Sequence, residues 1–189
     1  MRNLDSQCPD SSHEAHIRNS HRIGAIRNSV QWFEAELPVG LDVRQVYGFI
    51  FGVDGRVLLF EDKGKFNLPG GKPEDGESLV ETLLREVLEE VQVRISACEY
   101  LGHQLVEGIE TFAQVRLMAV IHRFLPADKD PSTGRKYLRL LAPPAELNEL
   151  LGWGEAGERQ IARAVSLASR VGVTWNGTPR SYIDANNSI

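Results

Sequence analysis

The 189-residue chain has only two cysteines, no long apolar run and no apolar leader-like segment at its start. Cys8 lies in a polar terminal segment and Cys98 in a predicted strand, so we expect no structural disulfide and a reducing compartment. The apolar runs are far shorter than the ~18 residues of a membrane span, and residues 1–16 contain no secretory core. We therefore expect a cytoplasmic protein with no membrane partner.

Basic residues are fewer than acidic ones and are not clustered. Lys and Arg form no dense run, which argues against a nucleic-acid partner bound through its phosphates. The chain carries 21 Lys and Arg against 26 Asp and Glu, a formal charge of −5. Residues 71–93 hold seven acidic and two basic side chains, so this segment alone equals the whole net charge. Such a carboxylate cluster beside glycines suggests a hard divalent cation, which prefers oxygen ligands.

Composition divides the chain into three parts. Residues 1–29 are polar and poor in large apolar groups, which predicts a flexible N-terminal tail. Residues 30–171 show the periodic apolar patterns of one folded domain. Residues 172–189 are polar again, which predicts a loose C-terminal tail. Three of the five histidines fall in the N-terminal part, where their spacing has no defined partner ligands, so a tail is favoured over a metal site.

The folded part combines strands and helices. Alternating or continuous apolar segments predict strands at 30–37, 44–51, 56–60, 93–100 and 111–124. Residues 102–110 are a loop or a strand end, and residues 136–141 are a short strand or an extended segment. Apolar residues at helical spacing predict helices at 79–90, 145–151 and 155–170. The dipeptide Asp54-Gly55 predicts a hairpin turn between the second and third strands.

The first helix lies inside the acidic segment. Ser78 and Glu81 form a capping box, in which each side chain accepts a hydrogen bond from the backbone N–H of the other residue. At 100° per residue, one side of the helix is apolar and is expected to face the core: Val80, Leu83, Leu84, Val87, Leu88 and Val91. The opposite side carries Glu86, Glu89 and Glu90. These neighbours repel by a few tenths of a kcal/mol per pair, and a cation between them would remove that repulsion.

Residues 71–93 resemble the signature of the Nudix hydrolase family, G-x5-E-x7-R-E-U-x-E-E-x-G-U, in which U is apolar. The fixed residues that match with the correct spacing are Gly71, Glu77, Arg85, Glu86, Glu89 and Glu90. Gln92 stands where the family has glycine. Glycine is common there because the backbone at a helix exit is often left-handed. We expect Gln92 to adopt that conformation at a cost of about 1 kcal/mol, or the helix to end by another geometry.

The resemblance implies an α/β protein with the Nudix-type α/β/α sandwich and a mixed β-sheet. It also implies Mg²⁺-dependent hydrolysis, with Mn²⁺ as a substitute. The substrate class is a nucleoside diphosphate linked to another moiety, which is cleaved to a nucleoside monophosphate and a phosphorylated product. The implied partner is therefore a small-molecule nucleoside diphosphate derivative. Many relatives are dimers, so a homodimer is also compatible with the resemblance.

The same resemblance assigns roles within the signature. The implied metal ligands are the carbonyl of Gly71 and the carboxylates of Glu86, Glu89 and Glu90. The implied catalytic residues are Glu86, Glu77 and Arg85. Glu86 would take the proton of the attacking water, and Arg85 would orient Glu77 through a salt bridge.

Several roles stay open at this stage. The general base is Glu86 or, as in some relatives, a glutamate on another loop, for which Glu107 and Glu110 are the candidates. Arg85 can pair with Glu81, four residues earlier, instead of Glu77. Side chains outside the signature with a candidate role in substrate contact are Lys63, Lys65, Phe66, Arg135, Lys136, Arg139 and Trp153.

Two other functions also remain open. A catalytically idle Nudix module for ligand binding or regulation usually loses signature glutamates, whereas this chain keeps all four. A diphosphate isomerase of the same fold needs an active-site cysteine, and no motif supports Cys98 in that role. The extra motifs that mark the ADP-ribose, dinucleoside polyphosphate, NADH and coenzyme A enzymes are not found, so the substrate is not specified.

Overall fold

The computed structural model describes residues 29–183. The predicted flexible N-terminal tail lies outside the described residues except for its last position, and positions 184–189 lie outside them too. Within the described range, no helix is both long enough and apolar enough to cross a lipid bilayer.

One mixed sheet forms the centre of the molecule. Its strands are β1 (Ser29–Phe33), β2 (Val43–Phe51), β3 (Val57–Asp62), β4 (Lys65–Asn67), β5 (Gly70–Gly71), β6 (Val93–Glu107), β7 (Thr111–Phe124), β8 (Leu138–Ala142) and β9 (Ser181–Ile183). The order across the sheet is β1-β6-β7-β2-β3-β8-β9, with β4 beside β3 and β5 beside β2. The pair of β2 and β7 is parallel, and the other described pairs are antiparallel.

Helices cover both faces of this sheet. They are α1 (Leu79–Val91), α2 (Leu147–Leu151) and α3 (Glu155–Arg170), with a 3-10 turn at Pro144–Glu146 before α2. α1 packs Leu83 and Val87 in one apolar layer with Ile50, whereas Leu167 of α3 packs in the other layer with Phe49. Adjacent residues of β2 reach opposite layers because strand side chains alternate between faces. The predicted α/β/α sandwich with a mixed sheet is confirmed.

The start of α1 is the one that its sequence predicts, and its exit takes one of the two geometries that the sequence left open. The hydroxyl of Ser78 accepts a hydrogen bond from the N–H of Glu81 at 3.3 Å, and the carboxylate of Glu81 accepts from the N–H of Ser78 at 2.8 Å. Gln92 ends the helix with φ 48° and ψ 52°, the left-handed conformation that the family's glycine would adopt without strain. The signature therefore keeps its usual helix exit despite the substitution.

The apolar side of α1 is only half buried, which corrects the helical projection. Three of the six apolar residues expected to face the core are exposed by 40–42%: Val80, Leu84 and Leu88. The other three are fully buried: Leu83, Val87 and Val91. The helix meets the sheet along a single stripe at four-residue spacing, and one sheet face cannot cover a wider apolar side.

The strand β6 is longer than predicted. It continues to Glu107, so residues 102–107 are a strand end, one of the two possibilities for this segment, and the loop is only three residues long. The pairing of β6 with β7 is irregular between Ser96 and Glu99 and again between Tyr100 and Gly102. Such bulges break the alternation of side chains from which a strand is predicted.

The segment after residue 171 is not a loose tail as far as Ile183. Its residues Ser181–Ile183 form β9, an antiparallel edge strand on β8. Arg56, which is 7% exposed, donates hydrogen bonds to the carbonyl of Pro179 at 2.9 Å and the hydroxyl of Ser181 at 2.7 Å. These contacts join positions that are distant in sequence, so the polar composition did not indicate them.

Candidate active site

Two adjacent glycines bring the signature backbone against α1. Gly71 and Gly70 pair with Val46 and Tyr47 of β2. Gly70 has φ 144°, and a Cβ there would collide with the carbonyl of Val46. A Cβ on Gly71 would collide with the carboxylate of Glu86. At Gly70 only glycine permits this approach, whereas at Gly71 a Cβ would displace the Glu86 carboxylate. The backbone of Gly71 thus lies directly beside the acidic face of α1.

Arg85 connects the acidic groups of the signature. Its Nε and Nη2 donate to the two carboxylate oxygens of Glu77 at 2.7 and 3.0 Å, a bidentate pair. Its Nη1 donates to Glu86 at 2.9 Å and to Glu89 at 3.2 Å, and its Nη2 also donates to the carbonyl of Lys72 at 3.0 Å. One guanidinium therefore holds the loop before α1 and two carboxylates on α1 in a fixed arrangement.

Glu77 is the most strongly held carboxylate of this group. It also accepts hydrogen bonds from the hydroxyl of Thr82 at 3.0 Å and from the N–H of Glu74 at 2.9 Å. The hydrogen bonds from Arg85, and then that from Glu74, lower the pKa of Glu77 to about 2. The predicted ion pair of Arg85 with Glu77 is present, and the alternative partner Glu81 is instead engaged in the capping box.

Two carboxylates on the acidic face of α1 have raised pKa values, in contrast to Glu77. Burial raises the pKa of Glu86, an effect that Arg85 partly offsets. Burial also raises the pKa of Glu90 to about 8, although the N–H of Gly70 donates to its Oε2 at 2.9 Å and acts in the other direction. The negative charge of Asp130 raises the pKa of both carboxylates further. A bound cation would reverse this by favouring the ionised forms.

These donors fit a hard divalent cation in chemical type, because carboxylate and carbonyl oxygens are its preferred ligands. Their present arrangement is not a closed metal site. Within residues 29–183, no three acidic, histidine or cysteine side chains are placed to hold a metal ion together. Arg85 bonds to Glu86 and Glu89, and Gly70 bonds to Glu90. Binding a cation therefore requires some of these contacts to be exchanged for metal–oxygen contacts.

Asp130 is a candidate site residue that the sequence interpretation missed. It lies between β7 and β8, is 4% exposed, and accepts hydrogen bonds from the N–H groups of Ser132 at 2.7 Å and Thr133 at 3.1 Å. This is an Asx-type turn, and the segment Asp130-Pro131-Ser132-Thr133 is a signal for it. The signal predicts the local turn, but not that the turn lies beside α1.

Gln92 ties this same loop to the end of α1. Its Nε2 donates to the carbonyl of Glu89 at 2.8 Å, and its Oε1 accepts from the N–H of Asp128 at 3.1 Å. A glycine could make neither contact. The departure from the family signature therefore adds a side-chain link between the end of α1 and the loop that carries Asp130.

The other candidate bases make their contacts at the β6–β7 turn. Glu107 accepts a hydrogen bond from the hydroxyl of Ser29 at 2.9 Å, and Glu110 forms an ion pair with Arg44 at 2.6 Å. Both side chains are exposed. These contacts do not connect either glutamate with Glu86.

Two of the five basic candidates outside the signature are engaged elsewhere. Arg135 pairs with Asp62 at 2.7 Å. Arg139 is 2% exposed and donates to the carbonyls of Val91 at 3.2 Å and Leu125 at 2.9 Å. The three lysines of this group are exposed: Lys63, Lys65 and Lys136. Arg139 is thus a structural residue between α1, β7 and β8.

A cavity of about 580 Å³ lies on the sheet face that carries α2 and α3. Phe66 and Trp153, two of the candidate substrate contacts, line it together with Tyr47 and Arg116. Tyr47 links the cavity to the signature, because its neighbour across the sheet is Gly70. Burial raises the pKa of Tyr47, Arg116 lowers it, and the charges of the glutamates on α1 raise it further. Tyr47 is therefore the point at which the cavity comes near the signature backbone and the charges of α1.

Comparison with known proteins agrees with this geometry. The family model of the NUDIX domain matches residues 42–163, more than half of the chain. The chain therefore belongs to the Nudix hydrolase family. No curated protein sequence matches it.

Solved structures of three bacterial proteins are similar. A mutant of the Bacillus subtilis pyrophosphohydrolase BsRppH is 31% identical with a TM-score of 0.45, and the match covers 50% of this chain and 61% of that one. A NUDIX hydrolase from Nitrosomonas europaea is 22% identical over 71% and 92% of the two chains, with a TM-score of 0.51. The mutator MutT protein from Bacillus halodurans is 21% identical over 66% and 81%, with a TM-score of 0.47. The Nitrosomonas match shows the shared fold, while the chain spans under two thirds of the length of the Bacillus subtilis protein.

Proposed function

We propose that this protein is a Mg²⁺-dependent pyrophosphohydrolase, with Mn²⁺ as a substitute, that cleaves a nucleoside diphosphate linked to another moiety. The observation that carries the proposal is the arrangement around Arg85. It holds Glu77 by two hydrogen bonds and contacts Glu86 and Glu89, while the side-chain-free Gly71 lies against Glu86. All four signature glutamates are retained, which favours catalysis over an idle binding module.

The proposed ligands of the cation are the carbonyl of Gly71 and the carboxylates of Glu86, Glu89 and Glu90. A bound divalent cation would neutralise charge on the diphosphate and lower the pKa of a water molecule. Glu86 is the proposed acceptor of the proton that the water loses as its oxygen bonds to phosphorus. The bond from that phosphorus to the bridging oxygen breaks, which gives a nucleoside monophosphate and a phosphorylated product. Arg85 and Glu77 position Glu86 and do not contact the reacting atoms.

The test is hydrolysis of a panel of nucleoside diphosphate derivatives with Mg²⁺, read as phosphate released after phosphatase coupling. We expect turnover of at least one compound, and loss of nearly all of that rate in Glu90→Gln. The matched control is Glu158→Gln, because Glu158 is an exposed glutamate on α3. Full activity of Glu90→Gln would refute the metal assignment. Tight nucleotide binding with no turnover on a broad panel would favour the alternative, a Nudix module for ligand binding or regulation.

A further inference from the structure

Arg116 is the one charged side chain among the described residues that line the cavity. It projects from the centre of β7 and is only 3% exposed. Its Nη2 donates to the side-chain oxygen of Gln104 at 2.7 Å, and its Nη1 makes a longer contact with the carbonyl of Val115 at 3.3 Å. Its Nε is buried and has no hydrogen-bond partner within residues 29–183. Two of the five N–H groups of the guanidinium are thus used.

No carboxylate among residues 29–183 neutralises this cation. The ion pairs within the described chain do not include Arg116. Burial lowers its pKa to about 10, so it still carries its charge at neutral pH. A buried cation with unused donors is costly, and a ligand that supplies acceptors would remove part of that cost.

The surroundings of Arg116 favour a flat ring as that ligand. The guanidinium lies over the rings of Tyr47 at 4.7 Å and Trp153 at 5.4 Å, and Phe66 adds a third aromatic side chain to the cavity wall. Aromatic walls stack well on nucleobases. A phosphate group would lose its hydration among these mostly apolar walls and gain one cation in return. The guanidinium donates hydrogen bonds only in its own plane, along the edge that the two rings do not cover.

The edge of the base must then present acceptors and no donor. A 6-oxopurine, such as guanine or hypoxanthine, has adjacent acceptors at O6 and N7, which an arginine contacts with two hydrogen bonds. Adenine replaces O6 with an amino group, which is a donor and opposes the guanidinium. We propose that the cavity binds the base of the substrate and that Arg116 selects a 6-oxopurine over adenine. This inference rests on the proposed function for its substrate class and adds the identity of the base.

The test is calorimetric binding of the nucleoside monophosphates GMP, IMP and AMP in EDTA, which needs neither metal nor turnover. We expect GMP and IMP to bind about 5- to 150-fold more tightly than AMP, the range of one bidentate arginine–base contact. Arg116→Met should abolish this preference. Arg116→Lys should retain only part of it, because an ammonium group cannot make the planar double contact. Arg123→Met is the matched control on the same strand, where the side chain is exposed, and it should keep the full preference.

Three results would overturn the inference: equal binding of AMP and GMP by the wild type, an unchanged preference in a folded Arg116→Lys variant, or displacement of GMP by equimolar inorganic phosphate. The last would identify an anion site. Circular dichroism checks the fold of each variant, and Arg116→Lys serves if Arg116→Met does not fold. Arg116-dependent GMP binding without hydrolysis of any compound would refute the proposed function and leave this inference standing. Equal kcat/KM for guanine and adenine substrates would refute the inference and leave the function standing.

Discussion

Two arginines on opposite sides of the central sheet are used in contrasting ways. Arg85 is surrounded by acceptors, and its hydrogen bonds with Glu77 are the main cause that raises its pKa. Arg116 lies among aromatic rings, and burial lowers its pKa to about 10. A cation whose hydrogen-bond partners all belong to the protein fixes the positions of those partner groups. A buried cation with unused donors is suited to a ligand, so we expect the same residue type to serve positioning in one region and recognition in the other.

The acidic region should show the largest effect on catalysis. We expect Glu86→Gln to lower kcat by about 10²- to 10⁴-fold, the usual contribution of a general base. The amide keeps the shape of the side chain but cannot take a proton. The rate of the best substrate from the panel measures this, with Glu158→Gln as the control. If Glu107→Gln or Glu110→Gln lowers kcat by that amount and Glu86→Gln does not, the base belongs to the β6–β7 turn.

Replacing Arg85 tests whether it acts by positioning. We expect Arg85→Met to lower kcat by about 10- to 100-fold, as is typical for residues that orient metal ligands. Arg85→Lys should recover little of this, because it cannot hold both oxygens of Glu77 at once. The same variants should weaken activation by Mg²⁺, measured as the metal concentration at half-maximal rate. An unchanged metal requirement in Arg85→Met would mean that Arg85 only stabilises the fold.

In the metal-free protein, two signature carboxylates should make stability depend on pH in opposite directions. Glu90 should produce an alkaline limb and Glu77 an acid limb in the plot of stability against pH. Glu90 has a folded pKa of about 8 against an ordinary value of 4.5, so it contributes stability below pH 4.5 that is lost as the pH rises to 8. Glu77 has a folded pKa of about 2, so its contribution is present above pH 4.5 and is lost as the pH falls towards 2.

The melting temperature in EDTA across this pH range measures both limbs. Glu90→Gln should flatten the alkaline limb, and Glu77→Gln the acid limb. Mg²⁺ should stabilise the wild type more at pH 8 than at pH 5, because it favours the ionised carboxylates. An alkaline limb that is the same in Glu90→Gln and in the wild type would contradict the assignment.

The smallest effect is expected at Gln92. Gln92→Ala keeps the strained left-handed backbone and loses two side-chain hydrogen bonds, so we expect a loss of about 1–3 kcal/mol in the free energy of unfolding. Gln92→Gly loses the same bonds but relieves about 1 kcal/mol of strain, so its loss should be smaller. Urea unfolding measures both. A greater loss in the glycine variant would show that the backbone of Gln92 is not strained.

Local features of the signature were largely predictable. The capping box of Ser78 and Glu81 and the start of α1 depend on residues within a few positions of one another. The left-handed exit at Gln92 was one of two geometries left open. The ion pair of Arg85 with Glu77 was also predicted, but by the resemblance to the family, since local helical spacing equally allowed Glu81. The roles of the signature residues in metal binding and catalysis stay predictions.

Other features depended on contacts between distant segments. The bulges in β6 prevented its full length from being predicted. Arg56 is buried against the last strand and forms hydrogen bonds with a segment whose polar composition predicted a loose tail. Asp130 and Arg116 carried no pattern of their own. The role of a single aspartate in a turn, or of a single arginine in an apolar strand, can be inferred only from the side chains that pack beside it.

The sequence by itself determined the family signature, the two-faced character of α1 and the alternation of strands and helices, because these depend on spacing along the chain. Only the tertiary structure decided which half of the apolar side of α1 is buried, because the sheet covers one stripe and not the whole side. It also decided that Asp130 approaches Glu86 and Glu90, and that Arg116 lies against two aromatic rings with no ion-pair partner in the described part of the chain. Burial and long-range electrostatics depend on distances in space, which the order of residues does not specify.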